Sequence, residues 1–281
     1  MPRPVGFSEP AAAYSCGARD DLEGAVAMSG VVEHTTPASA AAGKPGAANR
    51  RSLGSLLHGL VIGLGFAAMA GGFVVLALNY RPYKVPTDSM SPTVQSGDTV
   101  LARTVKGGAV GRGDIVVFRD SQWGGLTMVK RVVAVGGDTV ACCDSKQHLL
   151  VNGKPVDEPY VALPMMPGAD FRTTVPAGRL FLLGDYRANS LDSRAHLDVA
   201  SGTVPASDVT ARVEATVWPY GRFGVTKRTV AFDGLGAPLE AEPGPVAPAM
   251  YAMAGGAGVV VLASALGGVV SLGRKLRRRS A

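Results

Sequence analysis

The residues that could break a covalent bond in this chain are few. Cys16 stands near the N-terminus, Cys142 and Cys143 are adjacent, and no C-x-x-C pair exists, so zinc has no support. Neighbouring strand residues point to opposite faces; a vicinal disulfide in an oxidising compartment stays open. A serine nucleophile needs a base. Of the four histidines, His34 lies in a polar N-terminal segment, His58 in an apolar run and His148 in a polar turn. His196 follows Asp192 and Arg194, which leaves a Ser–His–Asp arrangement open. A lysine serves as base only when neutral, and its ordinary pKa near ~10.4 leaves under about 1% neutral at pH 7. Burial in an apolar site lowers that value by several units. Lys84 adjoins Pro82 and Pro86, and Lys106, Lys146 and Lys154 lie beside turns. Lys130 alone sits within a strongly apolar strand pattern, Met128-Val129-Lys130-Arg131-Val132-Val133. Alternation sends Lys130 and Arg131 to opposite faces, so one charge can be buried while the other stays wet. An edge strand with two solvated cations is the competing reading, and pattern alone does not choose. The candidate serine is Ser89, in Val85-Pro86-Thr87-Asp88-Ser89-Met90-Ser91-Pro92-Thr93. Two prolines brace this short loop; a plain turn is its competing reading.

Two apolar runs frame these residues. Leu56 to Leu78 is apolar apart from His58, and Ala249 to Gly273 carries no charge. Each reaches the roughly 20 residues that cross a bilayer as a helix. Hydrophobic residues make up 47% of the 281, more than a soluble protein of this length needs. The net charge of +6 raises nucleic acid as a partner, but the placement of the charge argues against it. Arg50 and Arg51 precede the first run; Arg274, Lys275, Arg277, Arg278 and Arg279 follow the second. Basic flanks stay on the cytoplasmic side. Both termini therefore read as cytoplasmic and the middle as extracytoplasmic. Ala68-Met69-Ala70 would fit a cleavage site after a signal peptide. The apolar run continues to Leu78, however, and the segment before it is long, which favours an uncleaved anchor.

The expected organisation is a disordered cytoplasmic tail over 1–51, a transmembrane helix over 52–79 and an extracytoplasmic β catalytic domain over 80–224. A linker over 225–248 follows, then a second transmembrane helix over 249–273 and a basic cytoplasmic tail over 274–281. Val100–Ala102, Ile115–Phe118, Met128–Val135, Leu149–Val151 and Arg179–Leu183 read as strands, with turns at Gly107-Gly108, Gly124-Gly125, Gly136-Gly137-Asp138 and Asn152-Gly153. Asn152-Gly153 is the strongest local hairpin signal. The Gly-, Pro- and Ala-rich stretch from Asp233 to Pro248 reads as linker, and no long amphipathic helix lies between the apolar runs.

Four segments in order resemble the boxes of type I signal peptidases. Pro86 to Thr93 resembles the nucleophile box, and Gly113-Asp114-Ile115-Val116-Val117-Phe118 the Gly-Asp-hydrophobic box. Val129-Lys130-Arg131-Val132-Val133, ending in Gly137-Asp138, resembles the general-base box. Gly184-Asp185-Tyr186-Arg187-Ala188-Asn189-Ser190-Leu191-Asp192-Ser193-Arg194 resembles the last box, and Val217-Trp218-Pro219 with Arg222 and Gly224 the closing strand.

The resemblance implies a mainly β fold: a signal-peptidase-type antiparallel β catalytic domain with an N-terminal and a C-terminal transmembrane helix. It implies a membrane-bound serine endopeptidase that removes signal peptides from exported preproteins with a Ser–Lys dyad. Ser89 would be the nucleophile and Lys130 the general base. The Ser89 N–H and the Thr87 hydroxyl would form the oxyanion hole. Ser190 would hydrogen-bond and orient Lys130, Asp192 and Arg194 would form a supporting ion pair, and Gly184 would allow close backbone approach. Tyr83, Val85, Pro86, Met128 and Val129 would line a groove that takes an extended peptide as an added strand. No metal or cofactor is implied. The expected partners are signal peptides and the lipid bilayer, with no nucleic acid, in a bacterial cell membrane. Ala188, Tyr186 and His196-Leu197 depart from the family's Asp, Asn and Trp-Gly. The self-cleaving repressor proteases also use Ser and Lys, but two apolar runs and no helix-turn-helix pattern argue against them. A catalytically impaired, membrane-tethered β scaffold is the alternative.

Overall fold

The computed structural model describes residues 53–105, 110–163, 170–238 and 241–280. The expected N-terminal tail and the Gly107-Gly108 turn lie outside them. Two long helices, α1 (Leu53–Asn79) and α2 (Val246–Arg279), bracket a β domain. Its strands are β1 (Tyr80–Lys84), β2 (Thr99–Thr104), β3 (Ile115–Arg119), β4 (Thr127–Val135), β5 (Thr139–Cys142), β6 (Leu149–Val151), β7 (Lys154–Val156), β8 (Phe171–Thr174), β9 (Arg179–Leu183), β10 (Thr203–Pro205), β11 (Val209–Trp218) and β12 (Gly224–Val225). Among the described residues between α1 and α2, the remaining helical pieces are short 3-10 turns.

All strand pairs are antiparallel, as short connections between sequential strands require. The larger sheet runs β1-β2-β11-β3-β4-β9-β10, with β12 added on β11; the smaller runs β7-β6-β5-β8. Asn152 and Gly153 join β6 to β7 with φ of 53° and 76°, as a tight hairpin turn demands. The runs read as strands in the sequence are β2, β3, β4, β6 and β9. β11 has no apolar signature because its centre alternates Val213 with Arg212 and Glu214. Both charged residues are buried, and Arg212 meets Glu214 and Asp114. Burial holds the Asp114 carboxyl above the usual carboxylate range. Cys142 and Cys143 form the vicinal disulfide that the sequence left open.

Two expectations about the C-terminal third are corrected. The segment over 225–248 is not a free linker but a strap along the domain. Gly224–Val225 pairs with Thr216–Ala215. Phe232 is fully buried with Val133, Val140 and Phe181. Arg112 holds the Gly236 and Pro238 carbonyls at 2.9 and 3.2 Å and closes a buried pair with Asp138. The Gly244 N–H donates to Glu214, which also accepts the Tyr80 hydroxyl. Composition missed the strap because its contacts run through backbone carbonyls and one aromatic ring, with no period. The second helix starts at Val246 and runs through the basic residues to Arg279, so these are helical rather than a tail. Proline at its first turn and a charge-free centre are compatible with one continuous helix.

α1 and α2 pack together. Gly65 lies against Val260, and Gly72 against Met253, at distances that leave no room for a Cβ. Both helices are long and apolar enough to cross a membrane. At their ends, Leu76, Val246 and Met250 pack with Tyr80, Leu101 and Ala215 of the sheet.

Candidate active site

Ser89 lies in the turn between β1 and β2. The turn is built locally: Ser91 N–H donates to the Asp88 carbonyl, and Ser96 N–H to the Asp88 carboxylate. Met90 and Val94 are fully buried beneath it, so apolar burial fixes the loop's height over the sheet. Lys130 enters from β4, opposite Val116 of β3. It leaves that strand on the face opposite Arg131, and the two cations have different fates. Arg131 is paired bidentately with buried Asp185. Lys130 is 4% exposed, and among the described residues no carboxylate lies within ion-pair distance of it; its Nζ donates to Ser89 Oγ at 2.8 Å and to the Val129 carbonyl at 3.1 Å. Burial pushes the Lys130 pKa down, opposed in part by the charges of Asp192 and Asp185. A lowered amine beside a serine hydroxyl is what proton abstraction needs.

The other expected residues converge on this pair, with two exceptions. Thr87 Oγ1 donates to Ser89 Oγ over a long 3.4 Å. Gly184 sits directly under Ser89: a Cβ there would collide with the Ser89 carbonyl and Ser190 Oγ. Tyr186 N–H donates to that Ser89 carbonyl at 3.1 Å. Asp192 accepts the Gly184 N–H at 3.0 Å and pairs with Arg194 at 2.9 Å through both oxygens. Ser190 departs from expectation. Its Oγ is buried without a hydrogen-bond partner and does not reach Lys130. The amine is oriented instead by Ser89 and the Val129 carbonyl. Met128 is the second exception. It packs on the cluster of Phe118 and Trp123, whereas Tyr83 and Val129 pack on the cluster of Val85 and Met90. Pro86 is exposed beside them.

Backbone edges complete the site. Among the described residues β1 pairs only with β2, and β9 pairs with β4 only from Arg131 onward. Residues 83–85 and 127–129 therefore each have one edge with no strand partner among the described residues, near Ser89 and Lys130, the setting for an added strand.

The histidine alternative fails on geometry. His196 stacks on Trp123 at 4.2 Å and turns Nδ1 to the Asp192 carbonyl, while His148 pairs with Asp144. Among the described residues no His, Cys, Asp and Glu group is arranged to hold a metal.

Sequence reasoning missed the ties behind the site. Thr93 Oγ1 donates to Asp185, and Arg187 forms a bidentate pair with Glu158 at 2.8 and 2.6 Å. Thr93, Asp185 and Arg187 stood inside the quoted boxes, so a search for charge partners there would have found Asp185. Glu158 lies in a polar stretch with no signal.

The fold and site define a peptidase of the serine class. A family model described as "Signal peptidase, peptidase S26" matches residues 57–218. Signal peptidase I of Mycobacterium tuberculosis is 33% identical over 208 aligned positions, covering 55% of this chain and 70% of that protein. Signal peptidase I S of Bacillus subtilis is 41% identical over 138 positions, covering 43% and 72%. A crystal structure of a signal peptidase I from Enterococcus faecalis aligns with a TM-score of 0.30 at 30% identity, covering 36% of this chain and 93% of that one. The chain belongs to the signal peptidase family, peptidase S26, and is a serine peptidase of the type I class.

Proposed function

We propose that this chain is a membrane-anchored endopeptidase that cuts signal peptides from exported preproteins with Ser89 as nucleophile and Lys130 as base. The observation that carries the reading is the 2.8 Å contact between Lys130 Nζ and Ser89 Oγ, both buried, with the amine's pKa lowered by that burial. Neutral Lys130 takes the Ser89 proton as Oγ attacks the scissile carbonyl. The Ser89 N–H and the Thr87 hydroxyl receive the negative charge that develops on the carbonyl oxygen. As the tetrahedral adduct collapses, protonated Lys130 gives its proton to the departing amine, leaving an acyl-enzyme. Water then attacks the acyl carbon while Lys130 takes its proton; as the C–Oγ bond breaks, Lys130 returns that proton to Ser89 Oγ and the peptide acid leaves. Asp192, Arg194 and Gly184 act as positioning residues, and Ser190 walls the site.

The substrate strand lies between the edges of β1 and β4. Tyr83, Val85, Pro86 and Val129 build shallow apolar pockets, with Met128 at their margin. Such pockets admit small side chains before the cut. α1 and α2 are read as spans because their outward residues, Leu57, Leu64, Leu262 and Leu266 among them, are exposed. The basic residues in the last turns of α2, with Arg50 and Arg51 before α1, then place both termini in the cytoplasm and the β domain outside.

The test is cleavage of a labelled preprotein by the purified full chain in detergent. The parent should cut after an A-x-A sequence, and Ser89→Ala should leave the precursor intact. A Phe immediately before the cut should abolish processing. Equal cutting by Ser89→Ala would remove Ser89 as nucleophile, and equal cutting of the Phe substrate would remove the groove.

A further inference from the structure

Behind the dyad is a second concavity with no part in that reaction. It is a cleft of ≈ 820 Å³ between Arg131 and Tyr160 on one side and β12 with residues 226–230 on the other. Four cations line it, Arg131, Arg222, Lys227 and Arg228, and no aspartate or glutamate does. The cations are not equally committed. Arg131 is held by Asp185, and Arg222 directs Nε and Nη2 to Asp98. Arg228 meets Asp233 at 3.3 Å with both side chains exposed, a pair of little strength. Lys227 is exposed. Cations converging with hydroxyls such as Thr226 in a concave site suit a phosphate group.

The placement of the cleft says which phosphate. Val225 pairs with Ala215, and Ala215 packs with Leu76 of α1 and with Val246 and Met250 of α2. The β12 wall thus stands one strand spacing, ~4.8 Å, from residues resting on the helix ends. The same β11–β12 hairpin exposes Trp218, Tyr220 and Phe223, at 62%, 86% and 52%. Aromatic rings with a polar tip concentrate at membrane–water interfaces.

We propose that the cleft binds the phosphate of an anionic lipid headgroup, with Lys227 and Arg228 supplying the charge and the aromatic hairpin seated in the headgroup layer. The lipid source rests on reading α1 and α2 as spans, but binding in the cleft is independent of peptide cleavage, so the two can fail separately.

The experiment titrates the purified full chain, in neutral detergent, with dihexanoylphosphatidylglycerol at fixed ionic strength. The readout is tryptophan fluorescence. The chain has two tryptophans, and Trp123 is buried, so Trp218 is the reporter at the hairpin. Saturable binding is expected, weaker by about 30-fold in the double variant Lys227→Ser, Arg228→Ser, the loss expected for two surface cations. Lys227→Glu alone should weaken it comparably. Both variants should cleave peptide at the parent rate, which certifies their fold. Dihexanoylphosphatidylcholine should bind more weakly, and inorganic phosphate should not compete. Unchanged binding in the variants, or equal binding of phosphatidylcholine, would overturn the proposal. Effective competition by inorganic phosphate would assign the cleft to a soluble anion instead.

Discussion

Thr93 Oγ1 donates to Asp185 Oδ2 at 2.6 Å, and Asp185 in turn accepts Nε and Nη2 of Arg131 at 2.8 and 2.7 Å. Thr93 follows Ser89 in the loop between β1 and β2, and Arg131 follows Lys130 in β4. One buried carboxylate therefore ties the loop to the strand that carries the proposed base. Asp185→Asn keeps the shape and leaves Arg131 buried without its counter-ion. Removing one partner of a buried pair costs about 3–5 kcal/mol. Thermal unfolding of the full chain in detergent should show a marked fall in Tm. An unchanged Tm would mean that the tie contributes nothing.

The oxyanion role proposed for Thr87 has a kinetic signature. Thr87→Val preserves the shape and removes the hydroxyl. Losing one such donor typically lowers turnover by about 10²–10³. The loss should fall on kcat with little change in KM. A parent-like kcat would leave the Ser89 N–H, or another donor, in that role.

The strap makes a prediction that a free linker does not. Phe232 is 1% exposed among Val133, Val140 and Phe181. Phe232→Ala should destabilise the domain by about 3–5 kcal/mol, the usual cost of emptying a buried aromatic site. Denaturant unfolding of the full chain measures it. A change below about 0.5 kcal/mol, as at an ordinary surface position, would show that the segment is not docked.

Much of the site was legible because it is written in short contiguous runs. Lys130 stands out as a cation inside an apolar strand, and Ser89 lies between prolines. The ambiguity between a buried and a solvated Lys130 is resolved by tertiary contact, which the pattern of β4 alone does not contain. The strands with period-2 or continuous apolar signals, β2, β3, β4, β6 and β9, were readable. β11 was not, since its buried Arg212 and Glu214 break the apolar pattern and are satisfied by each other together with Asp114 and Tyr80, which are distant in sequence. The strap was hidden for the same reason: Arg112 finds its Gly236 and Pro238 carbonyls across more than a hundred residues. Ser190 shows the opposite error. Its position in the last box suggested a contact with Lys130 that the packed site does not make.

The central claim is that Lys130 is buried, neutral near its working pH and bonded to Ser89. Its folded pKa is lowered by burial. Between that value and the ordinary ~10.4, the unfolded chain holds the proton and the folded protein does not. Stability from this group therefore rises with pH through that window, and below it the native state carries the full penalty of a buried charge. The direct measurement is the pH series of Lys130→Met beside the parent, reading unfolding in detergent and preprotein cleavage on the same samples. The variant should be folded and inactive, and at neutral pH no less stable than the parent. Its relative stability should decline as pH rises through the window. The parent's kcat/KM should climb with pH along a limb below the ordinary lysine range. Full activity in Lys130→Met would remove it as the base. A large loss of stability at neutral pH would show instead a lysine that is charged and paired.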